Sequence, residues 1–93
     1  MSYQPQKEDL VEVLEDLEST DLQDLIVYND DYNTFDHVTN TLIKVCKHDK
    51  LQAEQCTWII HYKGKCGVKK GSLPELKPMK EAILEAGINA EIL

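Results

Sequence analysis

Leu25-Ile26-Val27-Tyr28-Asn29-Asp30-Asp31-Tyr32-Asn33-Thr34-Phe35-Asp36-His37-Val38 begins as a strand, breaks at three polar residues and continues as a helix. Leu25 to Tyr28 is a run of strand formers. Asn29-Asp30-Asp31 cannot prolong a buried strand, because its carboxylates would enter the core unpaired. Asn33 stands three residues before Asp36 and reads as the helix N-cap with an acidic partner. Three acceptor-rich side chains are thus held at a strand end beside an apolar helix face. That arrangement suits a cation with an apolar neighbour, and it also suits a plain capped loop.

Working outward, the strand is expected over Leu22–Asn29 and the helix from Thr34 to about Lys47. Phe35, Val38, Leu42, Val45 and Cys46 fall on one face of that helix. Asp49 with Gln52 forms a second cap. The helix it opens runs to about Tyr62, with Leu51, Cys56, Ile59 and Ile60 inward and Gly64 as its stop. Trp58 falls partly off that stripe. Lys65–Lys69 is a short strand flanked by lysines, as at a sheet edge. Gly71 turns the chain, and Ser72-Leu73-Pro74-Glu75 reads as a capping box with Pro in the first turn. Pro78 resists an undistorted helix through that point. The third helix therefore starts near Pro74 and kinks, or starts at Pro78, and the restriction on Lys77 favours the later start. Gly87 ends it, and Ile88–Leu93 alternates as a last strand. The order β-α-α-β-α-β implies an α+β fold: a two-layer sandwich with a three-stranded antiparallel sheet and three helices on one face.

Ninety-three residues fit one small domain. The net charge of −7 is unevenly placed. Residues 1–24 carry eight acids and one lysine, and residues 25–93 carry nine of each, with no arginine anywhere. Residues 1–21 are therefore expected to be an acidic, flexible extension to a domain over 22–93. Leu10, Val13, Leu14 and Leu17 recur there at helical spacing, but an isolated helix of that length is marginal in water; the alternative is a structured helix docked on the domain or on a partner. A chain without arginine and with an acidic arm is a poor nucleic-acid binder. No run of residues is long and apolar enough for a membrane span. Met1–Gln6 has neither the basic flank nor the apolar stretch of a signal peptide. Cys46, Cys56 and Cys66 are then expected to be reduced thiols in a cytoplasmic protein.

Asn29, Asp30 and His61 supply an amide oxygen, a carboxylate and an imidazole nitrogen, which are acceptor types that a primary ammonium needs for its three donors. The alternative is that the polar loop caps a helix and His61 merely ends one, where its partial positive charge is favoured. Cys46, His48, His61 and Cys66 match no paired zinc spacing. No Gly-rich oxyanion loop accompanies the Cys and His residues. Neither a metal, another cofactor nor catalysis is expected.

Leu25–Val38 resembles the signature of the ClpS family, adaptors of the ATP-dependent Clp protease, whose strand runs into N-D-D-Y-T and an apolar helix. His61-Tyr62-Lys63-Gly64-Lys65 and Cys66-Gly67-Val68 are similar to that family's H-Y-x-G-K and C-G-V blocks. The likeness spans roughly residues 22–93 and includes the element order. It implies the fold shared with the C-terminal domain of the bacterial ribosomal stalk protein. It implies a non-enzymatic adaptor that binds N-degrons, proteins whose exposed first residue is Leu, Phe, Tyr or Trp. Such adaptors deliver their substrates to the N-terminal domain of a Hsp100-type AAA+ unfoldase, ClpA- or ClpC-like.

Carried over residue by residue, the resemblance assigns the α-amino group to Asn29, Asp30 and His61, with Asp31 and Asn33 as supporting polar groups. The first side chain is assigned to Phe35, Val38, Thr57, Ile60 and a C-terminal position that falls at Asn89 or Ala90, with Ala90 placed among the pocket candidates. Phe35 stands where the family often has Met, Thr57 where Met is common, and Ile60 where Val is common. The loop before Cys66 is two residues shorter than the family's. Glu75-Leu76-Lys77 looks like the family's unfoldase-docking E-T-K stretch, making Glu75 and Lys77 docking candidates. A monomer is expected. The competing reading is a same-fold interaction domain that modulates the unfoldase without binding N-degrons.

Overall fold

The computed structural model describes residues 21–93. The expected extension over 1–21 lies outside the described residues, apart from Asp21. The elements are β1 (Gln23–Tyr28), α1 (Phe35–Cys46), α2 (Lys50–Lys63), β2 (Lys65–Gly71), α3 (Leu73–Glu85) and β3 (Ala90–Ile92). The sheet is antiparallel in the order β2-β1-β3, and the α+β class and element order are those expected.

β1 is central, and its alternation decides the layers. Leu25 and Val27 are fully buried, while Ile26 and Tyr28 on the other face are only half-buried. Leu25 pairs with Lys69 but Ile26 pairs with Gly67, which leaves Val68 unopposed in a β-bulge. The Val68 carbonyl accepts from Nε2 of buried His48 at 2.7 Å. His48 is thus a structural group that holds the α1–α2 turn on the bulge.

Leu42, Leu76 and Ile83 from the helices close over Leu25 and Val27. Helix α2 departs from expectation. Its buried face is Ala53, Thr57 and Ile60, while Leu51 and Ile59, expected inward, are exposed. Its apolar residues are spread over most of the helix circumference among polar ones, so periodicity alone does not choose a face. Small side chains at 53 and 57 let α1 and α2 approach closely, and packing settles the choice.

Helix α3 also differs from the favoured reading. It starts at Leu73, with Pro78 inside it. The amides of Glu75 and Leu76 both bond the Ser72 carbonyl, at 3.0 and 2.9 Å, and Ser72 caps without a side-chain bond. Pro78 removes one helical donor, which would have served the Pro74 carbonyl. Both prolines are on the exposed side, where the freed oxygen is open to solvent rather than buried in the core. The gain on the other side is Leu76, which is fully buried. The far end follows expectation. Gly87, at φ 86°, bonds Leu84 O, and Ile88 N bonds Ile83 O at 3.1 Å. That is a Schellman stop, sealed by the buried Ile83 and Ile88.

One backbone link and one turn position the site. Asn29 N donates to Gly64 O at 2.9 Å, joining the end of β1 to the end of α2. Gly64, at φ 92°, turns the chain there and leaves His61 one helical turn back, facing the loop after β1.

Candidate functional site

The loop between β1 and α1 is organised by one carboxylate. Asp30 Oδ1 accepts from the amides of Tyr32 and Asn33, both at 2.8 Å, and Oδ2 accepts from Asn33 Nδ2 at 2.6 Å. The same Nδ2 donates to Gly87 O at 2.9 Å. Asn33 is therefore a strut between the loop and the end of α3, and the expectation that it caps α1 is corrected. The cap is Thr34, whose Oγ1 accepts from His37 N at 3.0 Å. His37 Nε2 donates to Ala86 O at 2.8 Å, a second tie to α3. The Asn33 amide holds the Asp30 carboxyl below the usual carboxylate range. A smaller opposing effect of burial is outweighed, and the Tyr32 amide and Asn33 side chain add to the lowering.

Beside this loop lies a cavity of about 450 Å³. Its polar lining residues are Asn29, Asp30, Asp31, Asn33 and Thr34 from the loop and His61 from α2. Its apolar part is formed by Phe35, Val38, Trp58 and Ile60, and Thr57 also lines it. Nine of the predicted site residues therefore come together: Asn29, Asp30, Asp31, Asn33, Phe35, Val38, Thr57, Ile60 and His61. Ala90 does not line this cavity; it is buried in the core opposite Val27. Glu75 and Lys77 are exposed in the first turns of α3, away from the cavity.

Sequence reasoning missed Trp58. Its ring packs on Phe35 with centroids 4.7 Å apart and stacks on Tyr62 at 5.3 Å and 16°. The His61 ring meets Trp58 and Tyr62 edge-on. One aromatic wall thus runs from Phe35 to the imidazole. The signal was the i, i+3 spacing of Trp58 and His61, which places both on one side of the helix.

Where the family likeness suggests Met, Thr57 brings a hydroxyl. Its Oγ1 donates to Ala53 O at 2.8 Å and accepts from Thr39 Oγ1 at 2.9 Å, both threonines being buried. Thr57→Val strands the Thr39 hydroxyl and is expected to cost about 1–3 kcal/mol. The Thr39→Val/Thr57→Val double variant recovers much of that loss, because no buried hydroxyl is left unpaired. Urea denaturation of the two single variants and the double variant measures the coupling. Additive losses would show that the two hydroxyls act independently.

A family model described as ATP-dependent Clp protease adaptor protein ClpS matches residues 18–91. The chain belongs to the ClpS family. Among solved structures, the fold is similar to that of Agrobacterium tumefaciens ClpS2 bound to L-phenylalaninamide. That match has a TM-score of 0.71 at 22% identity, over 77% of this chain and 94% of that one. The family match spans both the loop after β1 and His61, so it contains every residue that lines the cavity. As a ClpS-family adaptor, the chain is assigned to Clp protease function. Among the described residues, no helix is long and apolar enough to cross a membrane.

Proposed function

We propose that the cavity receives the first residue of an N-degron. The α-ammonium lies between Asn29, Asp30 and His61, and a Leu, Phe, Tyr or Trp side chain lies against Phe35, Val38, Trp58 and Ile60. The observation that carries this reading is the junction of an acceptor-rich end with an apolar wall in one cavity. Asn29 Oδ1, the remaining lone pairs of Asp30 Oδ2 and a neutral His61 nitrogen are acceptors for three N–H donors. The similar Agrobacterium protein was solved with L-phenylalaninamide, a free amine next to a benzyl side chain, which is the same combination of groups. The bound protein is then delivered to a Hsp100 AAA+ unfoldase of the Clp protease, ClpA- or ClpC-like, through its N-terminal domain. Glu75 and Lys77 form the docking surface, and the acidic residues 1–21 are a handle for the machine. The adaptor acts as a cytoplasmic monomer and performs no chemistry. Burial pushes the Cys46 thiol up to about 11 and the Cys66 thiol up to about 12, the opposite of an activated nucleophile.

Burying the side chain contributes about 1.5–3 kcal/mol, and each hydrogen bond to the charged amine about 1.5–3 kcal/mol. The sum, less association costs, corresponds to a dissociation constant on the order of micromolar. The test is calorimetric titration with peptides that begin with free Phe, Leu, Trp or Tyr, against N-acetylated and Gly-initial versions. Free aromatic or Leu peptides bind and the controls do not. Binding also fades as the peptide amine loses its proton, near its ordinary pKa of about 8. Equal binding of acetylated and free peptides would rule out the ammonium site.

A further inference from the structure

Three rings form a row beside the cavity, and two of them are the single phenylalanine and the single tryptophan of the chain. Phe35 is the first residue of α1 and Trp58 lies in the second half of α2, so only the tertiary fold brings them together. Their centroids are 4.7 Å apart and their planes are tilted by 54°. Behind Trp58, the Tyr62 ring is stacked at 5.3 Å and 16°. Phe35 and Trp58 both line the cavity, and Tyr62 does not. The row therefore leads from the solvent side of α2 to the cavity wall.

Phe35 needs that support. At the first position of α1 and only half-buried, its ring has no preceding helical turn to restrict it. Trp58 supplies the restriction, because a tilted ring pair holds a preferred geometry. Trp58 is 47% exposed and is braced in turn by Tyr62. The rest of the wall is stiff. Val38, Thr57 and Ile60 are buried and β-branched, with restricted χ1. The Thr57 hydroxyl is already engaged by Thr39 and by Ala53 O. Of this wall, only Phe35 and Trp58 distinguish a ring from a saturated group of the same shape, since only they carry a quadrupole.

We propose that Trp58 determines the specificity of the cavity by positioning Phe35, so that an aromatic first side chain is favoured over a saturated one of equal size. The proposal rests on the reading of the cavity as an N-degron site. An aromatic guest extends the row by one ring and meets Phe35 already held at a fixed tilt, so little ordering cost remains. One such ring pair corresponds to a preference of about 2- to 10-fold.

The test is calorimetric titration of the full-length protein with peptides that differ only in beginning with Phe or with its ring-saturated analogue, cyclohexylalanine. Cyclohexylalanine keeps the outline of Phe and is more apolar, so burial alone makes it bind at least as tightly. The parent protein binds the Phe peptide about 2- to 10-fold more tightly instead. Trp58→Leu weakens the Phe peptide more than the cyclohexylalanine peptide and brings the ratio close to one. Trp58→Phe, which keeps a ring against Phe35, retains the preference. A merely structural role for Trp58 would weaken both peptides equally, and an unchanged ratio in Trp58→Leu would overturn the proposal. Cyclohexylalanine binding the parent as tightly as Phe would also overturn it. An N-acetylated Phe peptide separates the two readings. Where it fails to bind, either of those results leaves the N-degron site standing; where it binds as well as the free peptide, the site and the proposal fall together.

Discussion

Asp30→Ala lowers the affinity for a Phe-initial peptide by about 10- to 100-fold, since one hydrogen bond to a charged group contributes about 1.5–3 kcal/mol. The carboxylate acts twice in the proposed complex. Oδ1 holds the Tyr32 and Asn33 amides in place, and Oδ2 faces Asn33 Nδ2 with lone pairs left for the guest ammonium. Asp30→Asn separates the two actions. The amide oxygen still accepts from the Tyr32 and Asn33 backbone amides, while its NH2 replaces the oxygen that accepted from Asn33 Nδ2 and the charge that attracts the ammonium is gone. Affinity therefore falls for both variants, while amide exchange at Tyr32 and Asn33 quickens more in Asp30→Ala, which loses all three bonds, than in Asp30→Asn, which loses one. Asp36→Ala, an exposed change outside the cavity, leaves both readouts alone. Undiminished affinity in Asp30→Ala would return Asp30 to loop capping alone.

The sign of the acid dependence follows from the same hydrogen bonds. Because the folded Asp30 pKa is lowered, its contribution to stability is complete above the unfolded aspartate pKa of about 3.9. It is lost as pH falls through the lower folded value. Asp30 thus remains ionised in neutral and mildly acidic buffer, where a peptide amine is protonated. A loss of binding in mildly acidic buffer is to be traced to another group.

The loop and its strand were legible because local rules and tertiary demands agree there. Strand formers, then carboxylates that no core accepts, then a helix opening leave one reading of Leu25–Val38. The element order and the meeting of Asn29 and Asp30 with His61 follow once two motifs are paired. What was not legible depended on choices between equivalent local options. Asn33 and Thr34 are both good caps, and the strut from Asn33 to Gly87 O, 54 positions away, decides between them. On α2, Leu51, Trp58, Ile59 and Tyr62 make the outer face as apolar as the inner one. Only contact with α1 shows that Ala53 and Thr57 are the buried side. Trp58 was set aside as off the stripe, and it is the residue that joins Phe35 to His61 in one wall.

Leu76→Ala is expected to cost about 2–5 kcal/mol, as for other fully buried Leu→Ala changes that leave a cavity. For a described domain of this size, total stability is on the order of 4–10 kcal/mol, so this one truncation removes a large part of it. The reasoning also explains where α3 begins. A helix starting at Pro78 would leave Leu76 in an irregular segment. Starting at Leu73 puts Leu76 in the first turns, fully buried among residues of the sheet and helices. The proline penalty is moderated because Pro74 and Pro78 stand on the solvent side. Two controls separate packing from backbone effects. Leu73→Ala, at a side chain 47% exposed, is expected to stay within about 0.5 kcal/mol of the parent. Pro78→Ala restores the missing N–H donor to the Pro74 carbonyl and is expected to raise Tm, by about 4–8 °C for each kcal/mol regained. Thermal unfolding of the three variants reads the order directly. A Leu76→Ala variant as stable as Leu73→Ala would mean that the first turn of α3 is not anchored by its leucine, and that the helix is held from Pro78 onward.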